Sequence, residues 1–403
     1  MTFLKKYPNA VPSVSKPPTL LILLPELQAG WCEQFAQEGY NVVHVFYPID
    51  HPSKAFEAAQ THILELGSDW ALLSYGLLPK DASSLVSHSA LSMADLKACI
   101  HFCPLSDSPK GYLIHDEGKQ YIPTTFHLAA SQETLHASLL PLTDTQNLGY
   151  HIPTRAHSPI NVYTYPLVKA EPPFPFLVLP YSLLTQPGTK APEGGEYHVR
   201  SATNMSYTRT LELLKRHLGP HFDLEKLWDQ HTYFEFAERD SKKTMSTMVA
   251  APYVNHVATM TGGVGFQDLS RFYKYHFCAE KVTPPDTELV SVSRTVGVDK
   301  VVEEMIFKCT HTTEIQYFLP GVAPTGKPVE IALVGVVAFR GDKLFFEHIY
   351  WDQASLLVQI GLLDPANLPV AGVEVARKVM DPFGKPSNAL LGKWQESEGK
   401  SIS

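Results

Sequence analysis

Residues 341–361 read GDKLFFEHIYWDQASLLVQIG, and this stretch decides the fold of the half of the chain that holds it. A Gly-Asp turn leads into a run rich in aromatic residues, which predicts a strand over Leu344–Trp351. Side chains alternate across a strand, so Leu344, Phe346, His348, Tyr350 and Asp352 share one face, while Glu347, Ile349 and Trp351 point to the other. A face that joins apolar residues to His, Tyr and Asp is the expected wall of a polar-tipped pocket. Asp352 precedes QASLLVQIGLL, whose apolar spacing predicts a helix. It therefore reads equally well as an N-cap and as a catalytic acid or base.

Working upstream, Val329–Arg340, Val301–Thr312 and Leu289–Val296 read as strands. Val329–Phe339 is apolar on both faces, which requires a central position or cover by another layer or a partner subunit. Parity along Val301–His311 puts Glu303 inside and Glu304, paired with Lys308, outside. Earlier still, apolar spacing predicts helices over Tyr207–Leu218, Leu224–Arg239, Ser241–Met248 and Phe266–Phe277. Between the last two lies a strand, Pro252–Thr259, with His256 among small and apolar neighbours and Asn255 on the opposite face. His256 and His348 each also fit a buried histidine satisfied by backbone. Trp228 and Tyr233 are expected to face a cavity or to act as plain core aromatics. The loop MTGGVG, Met260 to Gly265, lacks the spacing of a phosphate cradle. Helices followed by a run of strands, expected to be antiparallel, make an α+β domain.

The first half has another grammar. Short apolar strands at Thr19–Leu24, Asn41–Phe46, Trp70–Ser74, Cys99–Phe102, Thr124–Ala129 and Ile160–Tyr165 alternate with helical stretches near 30–38, 54–66 and 89–97. That alternation predicts an α/β domain built on a parallel sheet. A proline- and glycine-rich stretch from Pro166 to Thr203 is expected to carry little regular structure. The chain is thus read as 1–200, 201–370 and a tail, 371–403, with the boundary near Ser201.

Composition narrows the function. A chain of 403 residues exceeds one ordinary domain, and 44% hydrophobic residues supply real cores. Thirty-three Lys and Arg against 41 Asp and Glu give a net charge of −8, which argues against a nucleic-acid partner. Five scattered cysteines form no CxxC pair, so neither a disulfide framework nor a zinc site is expected. The early apolar run, Leu20–Leu24, is too short for a signal-peptide core, and no run approaches a membrane span. A cytoplasmic protein without a membrane partner is expected.

Residues 224–363 resemble the SnoaL-like polyketide cyclases of the nuclear-transport-factor-2-like superfamily. The likeness rests on AERDSKKTMSTM, PYVNHVATMTGGVGFQDLSRFYKYHF, SRTVGVDKVVEEMIFKCTHT and the long segment from Leu319 to Leu363. It implies a curved sheet wrapped around helices to leave a conical apolar cavity, used without cofactor or metal for enolisation, cyclisation, isomerisation, dehydration or epoxide opening. Residues 17–180 resemble a degenerate dienelactone hydrolase (carboxymethylenebutenolidase) of the α/β-hydrolase fold. At that family's triad positions stand Gly76 in SYGLL, Gln132 at the end of PTTFHLAASQ, and Ala170 in YPLVKAEPPF. Ser74 is a rival nucleophile that lacks a positioned base.

The expectation is therefore cofactor-independent acid–base chemistry on a small aromatic or polyketide-like carbonyl or lactone compound in the C-terminal pocket. His348, Asp352 and His256 are the expected catalytic residues; Tyr350, Glu303, Glu304, Asn255, Tyr233 and Trp228 are expected to bind substrate. A homodimer through the C-terminal sheet is expected. The alternatives are a lactone or ester hydrolase and a non-catalytic binding module.

Overall fold

The computed structural model describes residues 3–50, 52–88, 95–116, 120–143, 158–168 and 197–402. The chain divides into two compact units, Met1–Phe222 with Arg340–Asp342, and Asp223–Phe339 with Lys343–Ser403.

The first unit is a seven-stranded sheet in the order β1-β3-β2-β4-β5-β6-β7. Its strands are β1 (Leu4–Tyr7), β2 (Thr19–Leu24), β3 (Asn41–Phe46), β4 (Trp70–Tyr75), β5 (Leu96–Phe102), β6 (Thr124–Ala129) and β7 (Ile160–Tyr165). All neighbours are parallel except β1, which runs antiparallel along β3. Central strands are buried throughout; TLLILL and WALLSY are covered on both faces, which explains their continuous apolar character. Helices α1 (Ala29–Gln37), α2 (Pro52–Leu66), α3 (Pro79–His88), α4 (Glu133–Thr143) and α5 (Tyr197–Leu218) belong to this unit. The helix expected near 89–97 is displaced: α3 lies earlier, Leu96 and Lys97 are already in β5, and residues 89–94 lie outside the described residues.

The division also falls later than the boundary expected at Ser201. That residue sits inside α5, which buries Ala202, Tyr207, Leu211 and Leu214 and packs on β4, β5 and β6. An apolar helix face committed to the first sheet carries its helix into that unit.

The second unit is a six-stranded sheet in the order β10-β11-β12-β13-β8-β9. Its strands are β8 (Met248–His256), β9 (Thr261–Val264), β10 (Glu288–Val296), β11 (Lys300–Thr310), β12 (Pro328–Arg340) and β13 (Lys343–Trp351). In the run expected to be antiparallel, β10 and β11, and β11 and β12, pair so; the earlier strand β8 joins the sheet parallel to β13. The Gly-rich loop is itself β9, folded back on β8. Its glycines permit close approach: at Gly262, φ is +133° and a Cβ would fall 2.0 Å from Val254 O, and a Cβ on Gly263 would fall 2.8 Å from Leu269 Cα.

Helices α6 (Leu224–Thr232), α7 (Ser241–Ser246), α8 (Gly265–Phe272), α9 (Gln353–Ile360) and α10 (Glu374–Met380) complete the unit. Two of them run on into π-helical turns, Tyr233–Ala237 after α6 and Tyr273–Phe277 after α8. Among the described residues, no helix is long and apolar enough to cross a membrane.

Candidate active site

The second unit encloses a cavity of about 40 Å³ between its helices and sheet. Its wall is aromatic and aliphatic apart from a short polar arc of Glu235, Glu347, Tyr273 and His256, with Thr232 beside Glu235. A water needs ~10–15 Å³ by the same measure, so the space suits about three waters. The π-helical turns frame it directly, because Glu235, Phe236, Tyr273 and Phe277 all line it. Such turns shift the register of a helix face and are common at functional sites.

Behind the polar arc lies a buried charge cluster. His231, on α6, is fully buried, with Nε2 2.9 Å from Glu347 Oε1 and 3.1 Å from Glu235 Oε1. Glu235 stands four residues on along the same helical face, and Glu347 reaches in from β13. Tyr273 donates its hydroxyl to Glu347 Oε1 at 3.2 Å. The other ring nitrogen, His231 Nδ1, is 2.6 Å from Thr247 Oγ1. Thr247 donates its own proton to Thr244 O at 2.7 Å, so it must accept from Nδ1–H.

Burial alone would neutralise His231; the carboxylates of Glu235 and Glu347 outweigh it and push the imidazole up to about 10. Burial, then the nearby Glu235 carboxylate, raise Glu347, while His231 pulls it back. On the strand beside Glu347, burial lowers His256 to about 4, so its ring is neutral. His256 is packed among Phe272, Phe277, Tyr317, Phe318 and Trp351, with Nδ1 buried and unpartnered.

Parity selected the wrong face of β13. Glu347 and Ile349 line the cavity, whereas His348 and Tyr350 lie on the opposite face. There His348 Nε2 is 3.2 Å from Tyr253 OH, its ring lies tilted against Phe346, and Tyr350 is exposed. Asp352 is the N-cap of α9, accepting from Ala354 N and Ser355 N, and does not line the cavity. His256 and Trp228 do line it. Glu303 points inward as expected, but its carboxylate is taken up by Trp228 Nε1, Ser291 Oγ and Arg294. Glu304 accepts from Ser293 at 3.2 Å. Asn255 is half-buried on the outer face, and Tyr233 is exposed rather than facing the cavity.

In the first unit, Ser74 is fully buried with Oγ 2.8 Å from His101 Nδ1. The serine therefore has a histidine partner, contrary to expectation. That histidine's other nitrogen is engaged by Tyr112 O at 3.3 Å, and the pair sits cross-strand within the sheet core. Gly76 takes a φ of +58° at the end of β4, and Gln132 ties Ala129 N to Pro104 O. Ala170 lies outside the described residues.

His231, Glu235 and Glu347 are also the described residues able to offer one donor atom each to a cation, all within 4.8 Å of one another.

Residues 230–360 match the family model of SnoaL-like polyketide cyclase. No curated protein matches the chain. Among solved structures, a protein from Jannaschia assigned as a SnoaL-like polyketide cyclase is 15% identical, covering 36% of this chain and 99% of its own, with a TM-score of 0.28. A ketosteroid-isomerase-like protein from Catenulispora acidiphila, in complex with trimethylamine, is 12% identical over 34% of this chain and 93% of its own, with a TM-score of 0.27. TsrD from Streptomyces laurentii is 16% identical over 35% and 96%, with a TM-score of 0.28. Residues 17–180 fall outside the matched range, so the match does not bear on the dienelactone-hydrolase likeness expected for that stretch. The second unit carries a SnoaL-like domain over residues 230–360.

Proposed function

We propose that the second unit is an enzyme performing cofactor-independent acid–base chemistry of the cyclase or isomerase type on a carbonyl or lactone compound. The observation that carries this reading is the apolar cavity in which a few polar groups converge. His256 is neutral, with Nδ1 unpartnered. On the neighbouring strand Glu347 accepts from Tyr273 and is backed by His231. Nδ1 of His256 would take a proton from carbon or water, while Tyr273 would turn its hydroxyl proton from Glu347 to the oxygen on which charge develops. The largely apolar, aromatic wall strengthens both interactions. The small volume admits only the reacting end of such a compound unless the aromatic side chains move. Small aromatic ketones and lactones incubated with the protein in D₂O should exchange their α-protons, and His256→Ala should abolish the exchange. Exchange that survives in the variant removes His256 from the role; no exchange with any such compound removes the reading.

A second reading is favoured by the same volume. A cavity this nearly filled also suits a domain that has kept its fold and binds no substrate. Absence of exchange together with an unchanged melting temperature across the whole compound set would select it.

A further inference from the structure

We propose that His231, Glu235 and Glu347 form a binding site for one divalent metal ion, whose water ligands would occupy the adjoining cavity. The acid–base reading needs only a proton at Nε2; this inference does not rest on it, and a bound ion would replace that proton and make the chemistry metal-dependent.

The geometry of the donors is the first argument. Two ligands each ~2.1 Å from one ion and at right angles around it lie ~3.0 Å apart. His231 Nε2 stands 2.9 Å from one carboxylate oxygen and 3.1 Å from the other. Thr247 accepts from Nδ1–H, which leaves Nε2 to meet two carboxylate oxygens through either a proton or an ion. That arrangement requires an electrophile between the three atoms. A single proton can lie well along one of the two directions, whereas an ion between them would draw on all three donors, which lie within 4.8 Å of one another. An imidazole held through its far nitrogen is the usual support of a metal-bound histidine.

Charge is the second argument. All three side chains are buried, at 0%, 4% and 3% exposure for His231, Glu235 and Glu347, beside Trp228, Phe236 and Phe277. With a proton the cluster carries a net negative charge in an apolar surround; with a divalent ion and neutral imidazole it carries none. The third argument stands apart from the cluster. His256, 4% exposed, lines the cavity with an unpartnered Nδ1, a ready acceptor for a metal-bound water. One imidazole and two carboxylates suit zinc, manganese, iron(II) or cobalt rather than the softer thiolate-seeking ions.

The test is titration of the metal-stripped full-length protein with Co²⁺, followed by calorimetry and visible absorption, with Zn²⁺ and Mn²⁺ in parallel. The site should take about one ion per chain, and cobalt should develop d–d bands and shift the His231 ring protons in the NMR spectrum. Glu235→Gln and Glu347→Gln should each weaken binding by about 100-fold. Glu303→Gln, which removes a buried carboxylate outside the cluster, should leave it unchanged. No binding by the wild type, or equal binding by both glutamine variants, overturns the proposal. If a variant fails to fold, the wild-type spectrum decides, since cobalt bound without perturbing His231 is bound elsewhere. No substrate enters these measurements, so failure here leaves the acid–base reading standing, and failure of α-proton exchange leaves the metal site standing.

Discussion

Thr247 Oγ1 lies 2.6 Å from Nδ1 of His231 and spends its own proton on a backbone carbonyl, so it dictates which nitrogen of that histidine faces the carboxylates. Thr247→Val removes the acceptor and leaves a buried N–H unpaired. The loss should be about 1–3 kcal/mol of stability by denaturant titration. Thr247→Ser keeps the hydroxyl and should restore both the stability and the ¹⁵N signature of an Nδ1-protonated ring. Equal loss in both variants would show that methyl packing, not the hydrogen bond, is what matters.

Catalytic effects should follow the cavity and not the strand parity. His256→Ala and Tyr273→Phe should lower kcat by about 10²–10⁴-fold, the usual yield of a positioned acid or base. His348→Ala should leave kcat close to wild type, because its ring lies on the other face of β13 against Tyr253 and Phe346. Asp352→Ala should cost about 1 kcal/mol as a lost N-cap, with kcat retained. A collapse of kcat in Asp352→Asn with the fold intact would return that residue to the site.

How far the site was legible depends on which rule each residue obeyed. The strands of both sheets could be read from apolar runs, because burial on both faces or one leaves a direct compositional trace. Parity on β13 sorted side chains correctly into two sets but named the wrong set as inner. Both faces carry large apolar residues, Phe345 and Ile349 on one and Phe346 and Tyr350 on the other, so alternation alone has no sign. On β8 and β11 the outer residues were more polar, and His256 and Glu303 were placed correctly. His231 and Glu235 were passed over because the segment from Leu224 was read for apolar spacing only. The His-x-x-x-Glu spacing in HTYFE, which stacks the two on one helical face, was the available signal. The π-helical turn that exposes Tyr233 and points Phe236 into the cavity leaves no such trace.

The first unit should be acid-labile in a definite window. Burial holds His101 at about 4 and His127, with Arg209 beside it, at about 3, against an ordinary value near 6.5. The folded values lie below the unfolded one, so between these limits the unfolded chain binds more protons. Stability is therefore complete above pH ~6.5 and falls as pH drops toward about 4, with a slope of about 1.4 kcal/mol per pH unit for each histidine. His127→Gln should remove one histidine's share of that slope in urea melts between pH 7 and 5. A slope identical to wild type would mean His127 is not held neutral.

Ser74 now has a histidine at hydrogen-bond distance, which makes the hydrolase alternative sharper and its test simpler. The pair occupies paired positions on β4 and β5, and both residues are essentially without solvent contact, at 0% and 1% exposure. His101 gives its second nitrogen to a backbone oxygen and not to a carboxylate, and that one contact does not offset the burial that disfavours an imidazolium there. A nucleophile needs a path for its substrate as well as a base, and this serine has none in the described residues. A fluorophosphonate reagent should therefore leave the folded protein unlabelled. Ser74→Ala should leave α-proton exchange intact while costing about 1–3 kcal/mol, because His101 Nδ1 loses its buried partner. Stoichiometric labelling at Ser74, with exchange lost in Ser74→Ala, would move the chemistry to the first unit.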